Sequence, residues 1–143
     1  MFMGEYSHSI DAKGRLIMPA KFREQLGREF VVTKGLDDCL FVYSREEWRD
    51  IEEKLLAIPQ TTRDARKFVR FFYAGANIVE LDKQGRLLLG TELREYAGLK
   101  KDVVLVGVLN RIEIWDRSRW ENGSTYDDMD EIAEHMAGLG LSL

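Results

Sequence analysis

"IDAKGRLIMP" (residues 10–19) and "LDKQGRLLLG" (residues 81–90) are almost one phrase written twice. Each runs acid, two variable residues, Gly-Arg, then an apolar stretch. Shifting the chain on itself by 71 residues pairs Asp11, Gly14, Arg15, Leu16, Arg23, Glu24 and Gly27 with Asp82, Gly85, Arg86, Leu87, Arg94, Glu95 and Gly98. One inserted residue moves the offset to 72, and Val31, Val32, Gly35, Arg45 and Trp48 then meet Val103, Val104, Gly107, Arg117 and Trp120. Gly, Arg and Trp held in register over this length mark an internal duplication.

Both copies share one grammar. Ser7 to Asp11 reads as a strand, and "AKG" (12–14) and "KQG" (83–85) as hairpin turns whose glycines can take positive φ. "RLIMP" and "RLLLG" are the return strands. A short helix follows in each copy. The first starts after Pro19, sets Phe22 and Leu26 on one face and closes at Gly27. The second has Thr91 as N-cap, Leu93 and Ala97 on its face and Gly98 at its end. Two more strands complete each copy: "FVVTK" and "CLFVYS", then "DVVLVGV" and "RIEIWD".

Between the copies the pattern predicts two helices. A Ser44/Glu47 capping box opens the first, which carries Trp48, Ile51 and Leu55 at helical spacing and stops at Pro59. The second runs from about Thr62 to Ala74 with Gly75 as its stop. Ala65, Phe68, Val69 and Phe72 line one of its faces, and Arg63, Arg66, Lys67 and Arg70 another. Past Trp120, "STYDDMDEIAEHMA" reads as a capped acidic helix with Met129, Ile132, Ala133 and Met136 on one side, and "GLGLSL" as a frayed end. The helices inside each copy are too short to cover a sheet. The expected fold is therefore α+β and mainly β, a small barrel or interleaved-strand core.

Composition narrows the function classes. The 143 residues are 45% hydrophobic and 32% charged, as in a globular chain. Units this small are marginal alone, so the two copies are expected to depend on each other or on further subunits. Cys39 is the only cysteine, which excludes an intrachain disulfide, and with two histidines a structural zinc cluster is not expected. "MFMGEYSHS" lacks the pattern of a signal peptide, and the longest apolar run, Val103 to Leu109, is too short to span a bilayer. A cytoplasmic location and no membrane partner are the expectation.

The net charge of −4 is unevenly spread. Residues 1–120 hold all 21 Lys and Arg and 19 of the 25 acids, a balance of +2; residues 121–143 hold six acids and no Lys or Arg. The acidity belongs to the tail, which leaves room for a locally basic surface on the body.

These features together resemble the MraZ family, bacterial relatives of the AbrB/SpoVT/MazE swapped-hairpin transcription factors. The "MFMGEY" start and the Asp-x-x-x-Arg of Asp11 with Arg15 and of Asp82 with Arg86 carry the resemblance, along with the separation of the copies. It covers roughly Met1 to Ala137. The copies differ where Gln84 replaces Lys13 and Gly90 replaces Pro19, so unequal contacts with a target are expected.

The resemblance implies two AbrB-like units per chain forming a pseudo-dimeric β-barrel. They would span residues 5–47 and 76–119, with connecting helices in 48–75 and an acidic helix and tail in 120–143. It implies a sequence-specific DNA-binding regulator at the promoter of the division and cell-wall gene cluster. Subunits would form a homo-oligomeric ring, associated with the nucleoid, that binds double-stranded DNA. Repeats meeting one face of a duplex would be spaced by about one helical turn, roughly 10 bp.

The residues give that expectation a chemistry. Arg can pair bidentately with guanine O6 and N7, and a two-stranded ribbon fits the major groove. Arg15 and Arg86 are the expected base readers, with Lys13 and Lys83 as accompanying cations. Asp11 and Asp82 would be repelled by phosphate, so they are expected to orient the arginines or to cap the turns, with Gly14 and Gly85 supplying the turn geometry. Turn chemistry alone explains one such motif. It explains two glycines, but not an arginine after each.

Other features read more plainly. The Arg63–Arg70 stripe is expected to be a solvated face or a contact with acids of a neighbouring subunit. His8 and Cys39 fall in expected strands without a catalytic motif, and Trp48 and Trp120 are expected to be packing anchors. No nucleophile, metal set or phosphate loop points to an enzyme, and no cofactor is implied. The competing reading is an antitoxin-like or scaffolding module that binds protein without reading DNA.

Overall fold

The computed structural model describes residues 1–143. The first copy comprises β1 (Phe2–Ser9), β2 (Arg15–Ile17), α1 (Ala20–Leu26), β3 (Glu29–Lys34) and β4 (Leu40–Ser44). Helices α2 (Arg45–Ala57) and α3 (Arg63–Ala74) connect it to the second copy. That copy comprises β5 (Asn77–Glu80), β6 (Arg86–Leu88), α4 (Thr91–Tyr96), β7 (Asp102–Leu109) and β8 (Arg111–Asp116). Two helices, α5 (Arg117–Gly123) and α6 (Met129–Gly138), follow.

Six strands form one sheet in the order β1-β7-β8-β4-β3-β5, and β2 and β6 form a separate two-stranded ribbon. Only the β3–β4 and β7–β8 ladders lie within a copy; β1–β7, β3–β5, β4–β8 and β2–β6 all join one copy to the other. Exchanging the copies turns β1 into β5, β7 into β3 and β8 into β4, so the sheet reads the same from either edge. The registers place the pseudo-dyad at the central pairs Leu16↔Leu87 and Phe41↔Glu113. The duplication is thus a pseudo-dimer inside one chain, α+β and mainly sheet.

Three expectations are corrected in detail. The sheet is not a closed barrel: β1 and β5 remain its edges. The residues around "AKG" and "KQG" do not form hairpins, because β1 leaves to pair with β7 while β2 pairs with β6. Each Asp-x-x-Gly is a turn between strands of different sheets. The first strand, read as Ser7 to Asp11, runs instead over Phe2–Ser9.

The inner face of the sheet, the ribbon and helices α1 and α4 enclose one core. Leu16, Phe22, Phe30, Leu40, Leu87, Leu105 and Ile112 are among its 20 buried residues. A smaller apolar cluster lies on the outer face, where Val31, Phe41 and Tyr43 meet Trp48 of α2 and Phe72 of α3. Trp48 stacks on Phe72 with centroids 5.6 Å apart. Strands β3 and β4 are therefore buried on both faces, which explains their apolar runs Phe30–Val32 and Leu40–Tyr43.

The connecting helices match their sequence signals closely. Ser44 Oγ accepts from the Glu47 amide at 3.2 Å, and Thr62 Oγ1 from the Ala65 amide at 3.2 Å. The capping box is only half made, since no Glu47 side-chain bond returns to Ser44. At α4 the cap is Gly90 rather than Thr91, whose hydroxyl instead accepts from Arg94 Nη2 at 3.2 Å. Helix α6 starts at Met129, later than the sequence suggests, and its N-cap residue Asp128 makes no side-chain capping bond.

Candidate nucleic-acid interface

The two motifs adopt the same geometry. Asp11 Oδ1 accepts from the amides of Lys13 and Arg15, each at 2.9 Å, and Oδ2 accepts from Arg15 Nε at 2.6 Å. Asp82 repeats the pattern with Gln84 and Arg86 amides at 2.9 Å and Arg86 Nε at 2.8 Å. Gly14 and Gly85 sit at φ +85° and +77°, a region that side-chain-bearing residues rarely occupy. One carboxylate thus caps the turn with one oxygen and aims the arginine with the other. The backbone amides of Arg15 and Arg86, joined by their guanidinium groups, hold both carboxyls below the usual carboxylate range.

The aspartates take only the Nε edge of each arginine. No group in the chain accepts from the terminal amines of Arg15 or Arg86, so the two-pronged end of each guanidinium stays open. The side chains keep 32% and 24% of their surface exposed, so each head is accessible while its stem is held. Lys13 and Lys83 are exposed on the turns beside them.

The ribbon brings the two motifs together. Arg15 lies opposite Leu88, Ile17 opposite Arg86, and Leu16 opposite Leu87. Leu16 and Leu87 are fully buried and pin the ribbon to the core. Side chains alternate along a strand, so Arg15, Ile17, Arg86 and Leu88 share the opposite face. The arginines are diagonal neighbours there, about 7–8 Å apart at the backbone. Ile17 and Leu88 are 44% and 61% exposed between them. Two turns 71 residues apart in sequence thus form one continuous surface.

Sequence matches over whole proteins complete this picture. A family model described as "MraZ protein, putative antitoxin-like" matches residues 1–71 and again residues 72–139. The chain belongs to the MraZ family. Proteins named "Transcriptional regulator MraZ" from Acetivibrio thermocellus and Moorella thermoacetica are 59% and 60% identical over 143 residues, which is 99% of this chain and 100% of each relative. A Thermoanaerobacter relative of the same name is 57% identical over the same span. MraZ is a family of transcriptional regulators, not of enzymes.

Residues beyond the motif also shape the surface of this MraZ chain. Arg23 and Arg94, paired by the duplication, each lie beneath the other copy's turn. A side chain built on Gly85 would collide with the Arg23 guanidinium, and one on Gly14 would lie 3.3 Å from Arg94 Nη2. Arg94 Nε also donates to the Leu89 carbonyl at 3.0 Å. Their match in the duplication was the signal, but not their crossing between copies. Ile17 and Leu88 had no such signal, because an apolar residue two places past Arg reads as core.

The remaining candidates lie apart from this surface. Cys39 is buried just ahead of β4 rather than within it; its Sγ donates to the Leu36 carbonyl at 3.2 Å, and burial pushes the thiol well up. His8 sits in β1 at the sheet edge. Trp48 is buried; Trp120 packs on Trp115 at 5.6 Å and donates to Glu5 at 2.7 Å. No group of three His, Cys, Asp or Glu side chains is placed to hold a metal, and no helix is long and apolar enough to cross a membrane.

Proposed function

We propose that this chain is a transcriptional regulator that reads double-stranded DNA with the exposed face of the β2–β6 ribbon. Arg15 and Arg86 are the base readers, Asp11 and Asp82 aim them, and Lys13 and Lys83 contact flanking phosphates. Ile17 and Leu88 suit apolar contact with thymine methyls. The observation that carries the reading is the pair of open guanidinium ends held on one ribbon face.

One near-neutral chain binds weakly, so the reading includes a homo-oligomer, a ring of subunits meeting promoter repeats about 10 bp apart. Avidity then adds about 10²–10⁴ in apparent affinity without new contacts. The proposed target is the promoter of the division and cell-wall gene cluster, which places the protein in the cytoplasm with the nucleoid. Genomic fragments captured by the wild-type chain supply the test duplex. In gel shifts on that duplex, Arg15→Ala with Arg86→Ala abolishes the specific complex and leaves the size-exclusion profile unchanged. Undiminished binding by the double variant rules this surface out. A wild type with no salt-dependent DNA affinity that captures a stoichiometric protein partner favours the protein-binding alternative.

A further inference from the structure

Two unpartnered surfaces of opposite charge lie on this chain. The first is an apolar groove of about 310 Å³ between α2, α3 and the loop after β3. Phe41, Ile51, Leu55 and Phe71 line it, and Phe68 and Leu36 remain 41% and 54% exposed at its rim. Lys34 and Lys54 also line it. Beside it, Arg63, Lys67 and Arg70 of α3 have no carboxylate within 4.0 Å.

The second surface is α6. None of its residues is buried: Met129 is 41% exposed, and Ile132 and Met136 are half-buried. Met129, Ile132 and Met136 recur at helical spacing and form one apolar face. Asp130, Glu131 and Glu134 lie on the same helix, with Asp127 and Asp128 just before it, and none of the five is in an ion pair. Ten residues are too few to hold a helix in water without packing, since isolated helices below about 12–15 residues are marginal.

The pseudo-dyad says what is missing. After the last strand of the first copy, the second helix is α3, and its Phe72 docks on the sheet. The counterpart after the second copy is α6, and no residue of it is buried against the sheet. It does not fill the groove of its own chain, for no residue beyond Phe72 lines that groove.

We propose that α6 of one subunit inserts Ile132 and Met136 into the α2–α3 groove of a second copy, with its acids against that copy's Lys54, Arg63, Lys67 and Arg70. Donor and acceptor are different surfaces of one chain, so the contact is head-to-tail and repeats from subunit to subunit until it closes. This deepens the assembly part of the proposed function and does not depend on the DNA face.

The test uses full-length chains without DNA, by size-exclusion chromatography with light scattering. Phe68→Glu disables the acceptor, and Ile132→Glu with Met136→Glu disables the donor. Wild type should be a multimer and each variant a monomer of 16.6 kDa. An equimolar mixture should give a dimer that stops there, because only one donor and one acceptor remain intact. A monomeric wild type, a variant that keeps the wild-type mass, or a mixture that stays monomeric while circular dichroism is native overturns the proposal.

Should those variants misfold, exposed charges serve instead. Glu131→Lys with Glu134→Lys, or Arg63→Glu with Lys67→Glu, should each lower the assembled mass, and all four in one chain should restore it. Failure to restore it overturns the proposal. Loss of DNA binding with assembly intact would count against the ribbon, not against this contact.

Discussion

At the scale of the residue, the decisive fact is how Asp11 and Asp82 divide their oxygens. An exposed Asp–Arg pair adds little stability. Here it bonds only the Nε of Arg15 and Arg86, and no side chain or carbonyl of the chain accepts from their terminal amines. Each arginine, if it makes a bidentate guanine contact, contributes about 1–3 kcal/mol to base discrimination. Arg15→Ala and Arg86→Ala should each lower specific affinity by about 5- to 150-fold in a titration against the captured duplex. Binding to unrelated duplex should change much less. The pH dependence follows from the lowered carboxyls of Asp11 and Asp82. A depressed native pKa gives a contribution that is complete above the ordinary carboxyl value of 3.8 and is lost as pH falls below it through the lowered value. Thermal melts should therefore show wild type and Asp11→Asn differing at neutral pH and converging under strong acid. A difference that grows on acidification would contradict the assigned hydrogen bonds. Each Asp was legible as an orienting or a capping residue, and its two oxygens bond the turn amides and the arginine Nε together. Arg23 and Arg94 were legible as a repeated pair only, because their partners belong to the other copy.

At the scale of the element, local signals and pairing choices part company. Helices α2 and α3 were legible from Ser44, Thr62, Pro59 and Gly75, since caps and stops act within a few residues. The β2–β6 ribbon was not legible. A turn such as Asp-Ala-Lys-Gly suggests a hairpin locally, and nothing within ten residues says that Arg15 will face Leu88. Non-local packing goes with the pairing: Leu16 and Leu87, opposite each other in the ribbon, are both fully buried in the shared core. Leu16→Ala should cost about 2–5 kcal/mol in chemical denaturation, and Leu87→Ala the same, because the pseudo-dyad makes the sites equivalent. The outer cluster makes a separate prediction. Phe72→Ala removes the ring stacked on Trp48 and should cost about 3–5 kcal/mol while leaving the ribbon intact. Denaturant midpoints that leave any of these variants at wild-type stability would place the core elsewhere.

At the scale of the whole molecule, duplication and interleaving explain each other. Four of the six ladders join one copy to the other, so neither copy owns a complete sheet. Residues 1–76 expressed alone should not form a folded monomer, and adding residues 77–143 should restore native circular dichroism; a folded monomeric half would refute the pairing. The repeat itself was legible from Asp, Gly, Arg and Trp in register, and so was the mainly-β class. The open sheet was not, because closure depends on strand tilt and register shear across the whole sheet, which no local sequence signal sets. The same interleaving sets the two motifs on one face, and that is the central claim. Fluorescence anisotropy of a captured promoter duplex tests it most directly, with wild type, each arginine variant and the Arg15→Ala/Arg86→Ala double variant, all confirmed to keep the wild-type assembly. The account predicts weakened specific binding for each single variant and none for the double variant. A double variant that binds the duplex as tightly as wild type would contradict it.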